Sequence, residues 1–232
     1  MFTTERFFAR IWAFWFLMLM ISALTLGVAP KIVFVPMAVA SLLTFCWCVK
    51  CAYRSERFTD FASLRLCFSL SAVPLFAFVL SMAITYKQAK MEGMVALAIS
   101  LIPLILTAAA FALAYRRRSK TSAFLLRGER VEIHEPEQAN SWVVGGLGAG
   151  LSSLLYPMIK NYNGAMAAVL CVMVFISLYL VFYHRNNIAS LRALKEREHR
   201  EARQYTFFEI EYVRALREAS WLARLFKLKC QQ

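Results

Sequence analysis

Ionisable side chains are missing from most of this 232-residue chain. Six runs contain no Asp, Glu, Lys, Arg or His: Ile11–Ala29, Ile32–Val49, Leu66–Tyr86, Met94–Tyr115, Ser141–Ile159 and Gly164–Tyr183. Proton relays, ion-coupled carriers and voltage sensors need such groups at depth, so their absence argues against all three. Acidic residues are scarce as well, 14 against 27 Lys and Arg, leaving a net charge of +13. Cys48 and Cys51 make one Cys-x-x-Cys pair, but no second pair is present to complete four ligands, which argues against a structural zinc or iron–sulfur site. The first apolar run is too long and Trp-rich for a cleavable signal and lacks a small-residue cleavage site. It reads as a retained first span.

The six cysteines also fail to form a disulfide framework. Cys46, Cys48, Cys51, Cys67 and Cys171 lie in or beside apolar runs, and Cys230 lies in the basic tail. A secreted framework spaces its cysteines through polar loops instead. In Cys46-Trp47-Cys48-Val49-Lys50-Cys51, a helix puts Cys48 and Cys51 on one face and turns Cys46 away. Packing near an interface is the simplest role, and no cofactor or metal is expected.

What is present is apolar. Hydrophobic residues make up 60% of the chain and aromatics 14%, with a mean hydropathy of +0.54. A soluble domain carries about 45–50% apolar residues. Each charge-free run has about 18–22 residues, enough at 1.5 Å per residue to cross a hydrocarbon core of about 30 Å. Backbone groups cannot stay unpaired in lipid, so each run is expected to be a helix. The expected fold is therefore an all-α, polytopic membrane helix bundle of about six transmembrane helices. It divides into a transmembrane domain, 1–183, with a loop at 116–140, and a basic helical tail, 184–232. Only Pro30 and Lys31 separate the first two runs, as a tight hairpin or a re-entrant unit.

Charge orients the spans. Of the 27 Lys and Arg, only Lys31, Lys87, Lys90 and Lys160 fall on the side opposite the N-terminus. The other 23 lie in 1–10, 50–65, 116–140 and 184–232. The positive-inside rule then places both ends in the cytoplasm, and the plan suits a bacterial cytoplasmic (inner) membrane. This partition also accounts for the +13 charge without nucleic acid. The tail's mixture of 11 basic and six acidic residues suits an anionic leaflet or a protein better than a phosphate groove.

Several motifs suggest chemistry and then fail a physical test. Gly145-Gly146-Leu147-Gly148-Ala149-Gly150 lies inside an apolar run, whereas a dinucleotide loop needs a strand before it and water around it. Gly146 and Gly150 instead form a GxxxG pair suited to close helix packing. Gly150-Leu151-Ser152-Ser153, with six spans, resembles the Gly-x-Ser-Gly nucleophile motif of the rhomboid intramembrane proteases. That resemblance implies a serine nucleophile with a histidine in a later span. Here Ser153 replaces the glycine after the serine, and the last span has no histidine, so Ser152 has no base. Pro74 and Pro103 fall near mid-depth of spans three and four, where each removes a backbone hydrogen bond and is a candidate kink.

The tail carries the clearest periodicity. From Tyr205 onward, Phe208, Tyr212, Ala215, Leu216, Ala219, Leu222, Ala223 and Phe226 recur at helical spacing and fill an uncharged arc of about 120°. This predicts an amphipathic helix whose interaction face is Phe208, Tyr212, Leu216, Ala219, Leu222 and Phe226. In the loop, Val131 and Ile133 predict a short strand that Pro136 limits.

The expected function is non-enzymatic: protein–protein interaction by a multi-pass membrane protein, as an accessory subunit of a membrane machine or an immunity- or exclusion-type inhibitor. Membrane lipid and a membrane or cytoplasmic protein bound through the tail are the expected partners; a homo-oligomer stays open. One alternative is a small transporter or channel for an apolar or weakly polar solute. Another is a membrane enzyme with a rim site among His134, Glu135, Glu137, His184 and His199.

Overall fold

The computed structural model describes residues 2, 4, 6–117, 124–133 and 162–220. Helix α1 spans Phe7–Val28. Helix α2 (Phe34–Val49) follows a 3-10 turn at Lys31–Val33 and continues through a π-helical turn at Lys50–Arg54. Helix α3 (Phe58–Met82) likewise runs on as a π-helical turn, Ala83–Gln88. Helix α4 is Gly93–Arg116. With their terminal turns, these four helices are long and apolar enough to cross a membrane. At 1.5 Å per residue the 22 residues of α1 reach about 33 Å.

Helix α5 (Tyr162–Tyr183) meets α6 (Arg185–Glu201) at a 49° bend and with it makes a fifth candidate span. The run Ser141–Ile159, including Gly146 and Gly150, lies outside the described residues.

These helices are apolar on all sides, as lipid-solvated elements are. Phe16, Leu26, Val35, Leu43, Ile105, Leu113 and Phe175 all point outward and exposed. Several hydroxyls inside the bundle donate back to their own helices, which keeps them paired away from water. Ser100 bonds the Ala96 carbonyl at 2.7 Å and Thr107 that of Pro103 at 2.8 Å. Helix α1 packs on α2 and α3; α3 and α4 pack on each other and both contact α5 and α6. The Pro30 turn between α1 and α2 sits against the start of α4, where a Cβ on Gly93 would come within 3.3 Å of the proline ring.

Helix α3 begins well before its charge-free run. Asp60 in its first turn favours the positive end of the helix dipole, accepts from Ser55 Oγ at 2.7 Å and pairs with Lys50 at 3.1 Å. The extra turns bury Phe58, Phe61, Ala62 and Leu64 at the polar end of the bundle.

A small sheet covers that end. Strands β1 (Phe124–Arg127) and β2 (Arg130–Ile133) form an antiparallel hairpin, with β3 (Thr206–Phe207) parallel to β2. Gly128, at φ +64°, takes the first central position of the two-residue turn, where a right-twisted hairpin favours glycine. Phe124, Val131 and Phe207 point inward and are buried. Helix α7 (Ile210–Ala219) closes the described chain, and Ser220 after it is extended.

Candidate functional site

The polar end is held by phenylalanine rings from four separate stretches of chain. Phe58 lies 5.2 Å from Phe124, 5.7 Å from Phe207 and 6.3 Å from Phe2 between ring centroids. Phe7 stacks on Phe61 at 5.4 Å and meets Phe207 edge-on at 5.9 Å. Each aromatic pair adds about 0.5–1.5 kcal/mol beyond its buried area. The N-terminus, the start of α3, the hairpin and the tail therefore share one core.

Polar bonds then set the phase of the tail. The Phe58 N–H donates to the Tyr205 carbonyl at 2.9 Å, and the Thr206 N–H to Glu129 at 2.9 Å. Glu198 accepts from Thr59 Oγ1 at 2.9 Å and from the Tyr205 N–H at 3.0 Å. Because residues 205–207 are extended and paired in this way, the helix expected from Tyr205 starts only at Ile210. Its inward face is Ile210, Val213 and Arg217.

Arg217 is the residue that sequence periodicity places among the solvated charges, yet its side chain is only 9% exposed. Its guanidinium donates to the Ser55 carbonyl at 2.6 Å and the Cys51 carbonyl at 3.2 Å, and lies over the Phe7 ring at 5.7 Å. These carbonyls belong to the last turn after α2, where helix ends leave acceptors to be filled and a cation is favoured. Beside it, Arg214 grips Glu56 with two bonds, at 2.9 and 2.8 Å. Arg214's hydrogen bond holds the Glu56 carboxyl below the usual carboxylate range. Of this pattern, only the presence of cations in an amphipathic stretch was visible in the sequence.

Among the described residues, the outer face of α7 and the turn before it are left open. Phe208 is 43% and Tyr212 50% exposed, and Leu125 of β1, at 49%, adds a third apolar side chain to that end. Arg127 lies over the Phe208 ring at 6.0 Å, and Arg130 pairs with Glu211 at 2.6 Å. Leu216 is half-buried against the core and Ala219 is exposed. Leu222 and Phe226 lie outside the described residues.

The other feature is a cavity of about 420 Å³ on α3 and α4, reached by Trp47 of α2 and overlain by Ile188, Leu191 and Lys195 of α6. Pro74 lines its inner end; Pro103, inside α4, is buried. Among the cysteines, Cys46 is exposed, whereas Cys48 and Cys51 are buried. Among the described residues no group of three His, Cys, Asp or Glu is placed to hold a metal. His184 contacts Asn187 at 3.4 Å and His199 is exposed on α6; His134, Glu135 and Glu137 lie outside the described residues. Comparison with protein-family models, with curated proteins and with solved structures gives no match.

Proposed function

We propose that this chain is a non-enzymatic, six-span protein of a bacterial inner membrane, with both ends in the cytoplasm, that works by docking another protein on its folded basic end. The observation that carries this reading is the division of labour on α7. Its inner face is committed to the chain's own core through Ile210, Val213 and Arg217, which leaves Tyr212 outward beside Phe208 of the turn before the helix. Aromatic centres rimmed by arginine are the usual composition of protein interfaces. Charges of both signs adjoin this one, Arg127, Arg130 and Glu211, which favours a protein over a purely anionic surface. Accessory subunits and immunity- or exclusion-type inhibitors both fit this plan.

Deleting the tail is a poor test, because the aromatic core would lose Phe207 with it. A photo-crosslinker at Tyr212, in native membranes, leaves the core untouched. One defined protein adduct, lost on Phe208→Glu and recovered reciprocally from the partner, is expected. Adducts only to lipid or to a second copy, or adducts indifferent to Phe208→Glu, would defeat the reading. The cavity favours a second reading, a small carrier for an apolar or weakly polar solute. In that case Pro74→Ala would alter solute flux while leaving the Tyr212 adduct intact.

A further inference from the structure

We infer that the cavity on α3 and α4 is a site for one acyl chain of an anionic glycerophospholipid, whose phosphate sits on the basic face of α6. The proposal goes beyond the docking reading and requires only that these helices sit in a bilayer. Its first support is length. From Ser63 to Pro74 on α3, and from Tyr115 back to Leu104 on α4, the walls run about 16 Å at 1.5 Å per residue. That matches one leaflet of a hydrocarbon core of about 30 Å. The deep wall is apolar, and the cavity's volume lies within the range of sites that enclose small ligands.

The second support is charge at the mouth. Lys195 lines both this cavity and an adjoining basic pocket formed with Arg117, Arg192, His199 and Arg200. Glu196 is the one carboxylate there, and Arg192 already holds it at 2.5 Å. Arg192 also donates to the Tyr115 carbonyl at 2.8 Å, which fixes the α6 rim against the end of α4. Among the described residues, Lys195, Arg117 and Arg200 engage no carboxylate, so three cations face the place where a head group would emerge. An acyl chain gains little by moving from bilayer to groove, since both are apolar. Selectivity must therefore come from the head group.

The full chain, purified in detergent, is equilibrated with equal amounts of phosphatidylglycerol and phosphatidylcholine bearing identical chains, and retained lipid is counted by native mass spectrometry. One retained lipid per chain is expected, with phosphatidylglycerol preferred roughly tenfold. Lys195→Gln with Arg200→Gln, both exposed positions, should bring the two lipids close to parity. Ala108→Trp, on the exposed wall of the groove, should reduce retention of both. Equal retention by the unaltered protein would overturn the proposal, as would indifference to Ala108→Trp. No retained lipid, with a crosslink from position 108 to the stretch Ser141–Ile159, would assign the groove to the chain itself. None of these results depends on Tyr212 or Phe208, so failure here leaves the docking reading standing.

Discussion

Replacing Arg217 with methionine keeps most of the side chain's volume and removes every donor. In the folded protein the Cys51 and Ser55 carbonyls would then lose their bonds of 3.2 and 2.6 Å, in a place that excludes water. A buried acceptor left without a donor costs about 1–3 kcal/mol, so the two together should weaken docking of the tail by about 2–6 kcal/mol. At a tenfold change for each 1.4 kcal/mol, that is a rise of roughly 30-fold to about 20,000-fold in the open population. Amide hydrogen exchange at Thr206 and Val213, whose N–H groups donate to the Glu129 and Glu209 carbonyls, reads this opening directly, in nanodiscs at neutral pH. Arg214→Met is the matched control. It breaks a bidentate ion pair to Glu56, which Arg217 approaches only to 4.0 Å, but one whose arginine is 57% exposed, and such pairs are worth about 0–1 kcal/mol. Arg217→Lys should fall between the two, since an ammonium cannot fork to both carbonyls. Equal acceleration in the Arg217 and Arg214 variants, or unchanged exchange on Arg217→Met, would refute the capping argument.

Three further outcomes are expected. Phe58→Ala, at a fully buried ring touching Phe2, Phe124 and Phe207, should cost about 3–5 kcal/mol. The near-ultraviolet circular dichroism should collapse while the helical signal persists; an unchanged near-ultraviolet spectrum would contradict it. Gly128→Ala should destabilise the hairpin by about 1–2 kcal/mol through its φ of +64° alone, because a Cβ there meets nothing within 4 Å. Gly128→Asn should cost less, as exchange at Val131 can show. Finally, Arg214's hydrogen bond depresses the Glu56 carboxyl, so the pair's contribution is present above the ordinary glutamate value of about 4.3 and lost as pH falls through the lowered one. The protection of the Val213 amide, its exchange taken relative to the intrinsic rate at each pH, should therefore fall on acidification below that value in the parent and less steeply in Arg214→Met.

The helices of the bundle were legible because their cause is local. The charge-free stretch Met94–Tyr115 must pair its backbone within itself in an apolar solvent, and α4 occupies Gly93–Arg116. The short strand at Val131 was legible for a similar reason: Val131 and Ile133 alternate with charged residues there, whereas the turn at Gly128 came only with the structure. The tail was read less well. Periodicity from Tyr205 to Phe226 describes one long helix, but residues 205–207 find better partners in Phe58, Glu129 and Glu198, which lie far away in sequence. A pairing with distant backbone cannot be seen in a local pattern. It delays the helix to Ile210 and so settles which side faces inward.

By itself, then, the amino-acid order determined the membrane-length helices and the crowding of cations between them, since each depends on the solvent a short stretch of chain requires. Tertiary structure alone decided that Arg217 is buried, that Phe208 and Tyr212 are not, and that a groove with a basic mouth lies along α3 and α4. The physical reason is that burial belongs to what surrounds a side chain. For Arg217 the surroundings are two carbonyls and a phenylalanine from segments more than 160 residues away.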